Sequence, residues 1–166
     1  MSVFDWVNFD NLEIIAAGSS TVVFSDGNYA IKVGLIDPKQ PKMIEYAHSH
    51  GYSVPMITYQ RYVQIPQVMQ DMIAKTEFYQ NNEIYTDQEY RLVTYIQNGC
   101  ADVMICGLAE PWLKHGKKYT ASSMERAYEV ARKLAINYET FTRGYWMDAH
   151  PWNLAKYKGK LVIIDF

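Results

Sequence analysis

The sequence predicts an α+β protein, sheet-rich over its first 72 residues and mostly helical after them. Residues 12–36 alternate short β-branched runs with turn signals, the texture of antiparallel strands joined by tight connections. From about residue 73 the apolar residues recur at helical spacing, most plainly in "SSMERAYEVARKLAINYETFTRG" (122–144). A length of 166 residues with 49% apolar composition suits one body with a substantial core, open to a two-lobed arrangement.

Each element has its own signal. "LEIIAA" (12–17), "STVVF" (20–24) and "YAIKVGL" (29–35) read as strands, and Asp26-Gly27-Asn28 between the last two is a hairpin turn. Pro41 stands where a helix can begin, and "PKMIEYAHSHG" runs to a stop at Gly51. "PMITYQRYVQ" (55–64) and "PQVMQDMI" (66–73) then read as two further strands. "TDQEYRLVTYIQNG" (86–99) opens with Thr86 and acidic residues and closes on Gly99, as a helix does. In the long helical segment, Ser122 and Glu125 have capping-box spacing. The tail "NLAKYKGKLVIIDF" reads as a hairpin turning at Lys158-Gly159, its second strand an apolar run that ends in an aspartate.

Charge and composition narrow the function. A net charge of −2 argues against nucleic acid as the main partner, because phosphate contacts need clustered Lys and Arg. No apolar segment reaches the length of a membrane span, and "MSVFDWVNFD" lacks the basic and apolar regions of a signal peptide, so the expected setting is cytoplasmic, with no membrane. Cys100 and Cys106 make no disulfide framework and are expected to be free thiols. "HSH" at His48 to His50 resembles a metal site, but residues two apart splay on a helix, and a helix-end pair is the expected reading.

Two carboxylates stand out by position. Asp148 lies in "YWMDAHPWNLA" just beyond the long helix, and Asp165 ends the apolar strand "LVIIDF". Asn153 follows Asp148 by five residues, and the hairpin returns Asp165 towards it. Three oxygen donors gathered in this way suit a hard cation such as Mg2+ carrying phosphates. Trp146 and Trp152 flank the loop as packing residues.

Here the chain resembles the protein-kinase-like family, and most closely the compact serine/threonine kinases of short-tailed lytic phages, whose catalytic loop has the form DxHxxN met here by Asp148, His150 and Asn153. "YAIK" is similar to the VAIK strand, and "IIDF" to the start of a DFG motif. The resemblance is strongest at 14–34 and 145–166. It implies a minimal bilobal fold, with 1–72 an antiparallel N-lobe carrying one helix and 73–166 a reduced, mostly helical C-lobe. It also implies ATP and Mg2+ as cofactors. Lys32 would hold the α/β-phosphates under a turn of Gly18, Ser19 and Ser20, with Val23 over the adenine, Glu45 as the lysine's ion-pair partner, and Met69 to Met72 as the connector whose backbone meets adenine. Asn153 and Asp165 would bind metal and Asp148 would receive the substrate hydroxyl's proton, with His150 orienting the loop or sharing in proton transfer.

The departures are specific. Ala16 and Thr21 occupy the flanking glycine places of the phosphate turn, and Met147 stands where the family has arginine before Asp148. The sequence ends at Phe166, so a protein substrate is expected to be held by another surface or by a partner. The expected activity is phosphoryl transfer to a protein, a host protein if the chain is phage-encoded. A kinase-shaped binding protein that engages a partner without chemistry is the competing expectation.

Overall fold

A computed structural model of the chain describes residues 2–17, 20–76, 97–112, 118–142 and 153–164, with side chains of 135–142 left aside. The elements fall into two units, one of residues 1–41 and 56–108, the other of 42–55 and 109–166.

The first unit is built on a five-stranded antiparallel sheet. Strands β1 (Glu13–Ala17), β2 (Thr21–Ser25) and β3 (Tyr29–Gly34) form a meander, followed by β4 (Met56–Gln64) and β5 (Cys100–Gly107), in the spatial order β1-β2-β3-β5-β4. The expected hairpin between β2 and β3 is present, and its turn is held by a buried carboxylate. Gly27 supplies the left-handed backbone at φ 90°, while Asp26 Oδ1 accepts the N–H groups of Asn28 and Tyr29, each at 2.8 Å. Asp26 Oδ2 accepts the N–H of Asn8 at 3.0 Å, tying the N-terminal segment to the turn.

Period-two alternation sorts the sheet's side chains. Val22, Phe24, Ile31, Val33, Val103 and Ile105 lie in a core shared with Val3, Ile65, Met69 and Ile73. Phe24 has no exposed surface, and its truncation to alanine costs about 3–5 kcal/mol on the usual scale of core cavities. Asp102, buried within β5, joins three segments: its carboxylate accepts Ile36 N–H beyond β3 and Tyr62 N–H in β4, both at 3.0 Å. Tyr62 has φ 48° and sits where the β4 register shifts between Gln60 and Val63, a bulge that Asp102 pins.

One expectation is corrected here. "PQVMQDMI" is not a strand but the helix α2 (Gln67–Ala74), entered through Pro66. Met69, Met72 and Ile73 stand three and four apart, a helical period, and all three turn towards the core, with Met69 and Ile73 fully buried. The strand that does complete the sheet is β5, "CADVMICG", for which the sequence analysis gave no element.

In the second unit, α1 (Lys39–Ser49), α3 (Ala121–Thr142) and a three-stranded sheet surround a small core of Ala47, Ala131, Leu154 and Ile163. The sheet comprises β6 (Glu110–Pro111), β7 (Leu154–Tyr157) and β8 (Lys160–Ile163), in that order. The β7–β8 hairpin turns at Lys158-Gly159, as expected, and both residues have positive φ, 49° and 79°, the backbone of a two-residue type I′ connection. Helix α1 begins two residues before Pro41, which is harmless in a first turn that has no intrahelical N–H bonds to lose. It ends as expected at Gly51, φ 81°, where Tyr52 N–H bonds Ala47 O (2.8 Å) and Gly51 N–H bonds His48 O (2.9 Å).

At the start of α3 the cap is Thr120, not Ser122: Thr120 Oγ1 accepts the N–H of Ser123 at 3.2 Å, so the helix begins earlier than the capping-box spacing suggested. The helix expected over 86–99 falls outside the described residues up to residue 96. No helix among the described residues is long and apolar enough to cross a membrane.

Candidate functional site

The described candidate residues form two local groups, one in each unit. In the first, Lys32 lies on β3, a central strand paired to β2 on one side and β5 on the other. Residues paired directly across antiparallel strands point to the same face. Val23 of β2 and Met104 of β5 both pair with Lys32, and Ala30 pairs with Cys106, so these five side chains share one face. It is the face opposite Phe24, Ile31 and Ile105, and therefore opposite the core of this unit.

Lys32 and Val23 are half-buried there, whereas Met104 is 0% and Cys106 2% exposed. Burial pushes the Cys106 thiol up to about 11, and the nearby Lys32 ammonium opposes that rise without reversing it. The face thus sets the Lys32 cation beside Val23, Ala30, Met104 and Cys106, and the same alternation places Asp102, paired with Gly34, on it one step farther along β5. Ala30, Met104 and Cys106 were not among the sequence-derived candidates. Ala30 was readable, since it precedes Lys32 by two in "YAIK" and alternation puts both on one side.

At the turn before β2, Ser20 is half-buried and its carbonyl accepts Leu35 N–H at 2.8 Å, which fastens the turn's end to the end of β3. Gly18 and Ser19 lie outside the described residues. Met69 and Met72, expected as the adenine connector, belong to α2: the Met69 side chain is buried in the core, its N–H bonds Pro66 O at 3.0 Å, and Met72 O accepts Lys75 N–H at 3.2 Å.

In the second unit, Asn153 precedes β7 and is half-buried. Its carbonyl accepts the N–H of Ile164 at 3.0 Å, extending the Leu154–Ile163 pairing by one step. The hairpin thereby sets Asn153 beside the residue that immediately precedes Asp165. Asp165 itself, with Asp148, His150, Trp146, Met147 and Trp152, lies outside the described residues. Among the described residues no three His, Cys, Asp or Glu side chains gather as a metal site. Glu45 is exposed on α1 and belongs to the second unit, while Lys32 belongs to the first.

The "HSH" histidines act at the helix end, as expected. His48 Nδ1 lies 2.9 Å from Ser53 O, and His50 Nδ1 lies 3.1 Å from Tyr46 O. A carbonyl partner is an acceptor, so in each ring Nδ1 carries the proton.

Comparison of the chain with family models, with curated proteins and with solved structures finds no match in any of the three.

Proposed function

We propose that this chain is an ATP- and Mg2+-dependent phosphotransferase of the protein-kinase-like class, acting on a serine or threonine hydroxyl of a protein. The observation that carries the proposal is the setting of Lys32. "YAIK" forms the third strand of an antiparallel sheet, with Val23 beside the lysine and the next helix, α1, following the strand, which is the context in which such a lysine serves phosphates.

The residues fit the two groups the activity requires. The Lys32 face sets a cation beside Val23, Ala30, Met104 and Cys106, apolar surface suited to a purine base with a charge for its phosphates, and Asp102 lies farther along β5 on the same face. The donor set of Asp148, Asn153 and Asp165 consists of oxygen ligands only, the preference of Mg2+, and the hairpin bond between Asn153 and Ile164 supports Asn153 and Asp165 as neighbours. Bound Mg2+ neutralises charge on the phosphates. Lys32 holds the phosphates by charge, Ser20 and the residues before it cover them, and Asp148 orients the acceptor hydroxyl and takes its proton. His150 fixes the loop that carries Asp148. Catalysis in this scheme is positioning and electrostatics.

The test separates binding from chemistry. ATP with Mg2+ at about a hundred times its dissociation constant adds roughly 2.7 kcal/mol to stability, or about 5–10 °C in Tm for a chain of this size. Asp148→Asn should keep that shift and lose transfer of labelled phosphate from ATP to lysate protein, whereas Lys32→Ala should lose the shift. A wild type without any ATP-dependent shift overturns the proposal, and equal transfer by wild type and Asp148→Asn overturns the role of Asp148.

A further inference from the structure

The second unit contains a cavity of about 320 Å3 between the end of α1 and the β7–β8 hairpin. Its described lining holds three nitrogen bases, His48, Lys158 and Lys160, and no carboxylate. Pro55, Tyr157 and Val162 supply the apolar part of the wall. One further group sets it apart. Ser53 is 3% exposed, and its Oγ is buried at this wall without a hydrogen-bond partner among the described residues. A buried hydroxyl left without a partner carries a desolvation penalty of about 1–3 kcal/mol, so native proteins seldom keep one.

Structural roles account for only part of the cluster. The Lys160 ammonium packs over Gly51, where a Cβ would run into Nζ, and so lies at the negative end of the α1 dipole. The Lys158 ammonium sits 5.5 Å from the Tyr157 ring centroid, a weak contact for a charge at the surface. The carbonyls of Ala47 and His48 are already bonded by the helix cap, and Ser53 O by His48. Nothing in these roles uses the Ser53 hydroxyl, and none needs two ammonium groups.

We infer that this cavity is a binding site for a phosphate group, with Lys158 and Lys160 balancing its charge and Ser53 Oγ, now buried behind the wall, turning about χ1 to donate to one of its oxygens. A phosphate at neutral pH carries nearly two negative charges and three strongly accepting oxygens, which matches two ammonium groups and a hydroxyl better than a carboxylate does. The apolar wall leaves room for an ester's organic body, so the group can arrive free or on a side chain. This site lies wholly within the second unit and does not depend on the nucleotide reading of the Lys32 face.

The test is a titration of the full chain at constant ionic strength, following amide NMR shifts of Gly51, Ser53 and Gly159, with inorganic phosphate in one arm and O-phosphoserine in the other. Saturable shifts confined to these positions are expected. Tighter saturation by phosphoserine identifies an ester as the ligand, and equal saturation identifies the free anion. Ser53→Ala should weaken binding about tenfold, the scale of a lost hydrogen bond to a charged group, while leaving the ligand-free chain as stable as wild type or more so. Lys160→Gln should weaken binding by at least as much. Shifts that rise linearly, or that sodium chloride reproduces, overturn the site, as does a Ser53→Ala titration that superimposes on wild type.

Discussion

Asp26 holds the β2–β3 turn by charge, and replacing it should damage the first unit more than its place in a surface hairpin suggests. The side chain is 1% exposed and its carboxylate accepts three backbone N–H groups, from Asn8, Asn28 and Tyr29. Burial by itself would raise this carboxyl, but those N–H groups outweigh it and hold the group below its ordinary 3.8. Each bond to a charged acceptor is worth about 1–2 kcal/mol net when some of the freed donors can find water, so Asp26→Ala should cost about 3 kcal/mol, or about 6–12 °C in Tm. Asp26→Asn keeps an oxygen for Asn28 and Tyr29 but turns an amide donor towards Asn8 N–H, and should cost about half as much.

The pH dependence follows in sign. A carboxyl whose folded pKa is depressed contributes stability that is complete above its unfolded pKa, near 4, and is lost as pH falls through the folded value. The Tm gap between wild type and Asp26→Asn should therefore be full at pH 7 and close as the pH is taken below 4. Thermal melts followed by far-UV circular dichroism across pH 3–7 measure this. A gap that is absent at pH 7, or that stays constant to the lowest pH at which both proteins fold, refutes the argument.

The other expectations are more local. In the native protein a maleimide should label Cys100 well before Cys106, because Cys106 is buried and its thiol is pushed up to about 11; equal rates by intact-mass spectrometry would show that its cover opens freely. Gly159→Ala should cost about 1 kcal/mol or more in a urea melt, since alanine resists φ 79° in the type I′ turn, whereas Lys158→Asn should be neutral or stabilising. Thr120→Ala should cost about 1 kcal/mol and Ser122→Ala much less, if the α3 cap is the one bonded to Ser123.

What the sequence made legible was what local chemistry decides. Gly27 beside Asp26, and Gly159 after Lys158, each demand a turn that only a few residues make well, so both hairpins were readable without any knowledge of the core. Gly51 ended α1 for the same reason. The misreading of 66–73 came from an ambiguous pattern: "PQVMQDMI" is too short for periodicity to separate a buried helix from a strand, and the decisive fact, that Met69 and Ile73 both face the sheet's core, is tertiary.

β5 escaped for the opposite reason. Its burial runs unbroken from Ala101 to Gly107, so "CADVMICG" shows no alternation to mark it as a strand, only a mostly apolar run interrupted by Asp102. Such a run means a strand covered on both faces. One face is the core beside Val103 and Ile105. The other carries Asp102, Met104 and Cys106, and with them Lys32. That a cation shares this shielded face, rather than the wet side of an amphipathic strand, is what the sequence alone left undecided about Lys32. Its half-buried position between Val23 and Met104 on that face is the setting on which the proposed phosphate role rests.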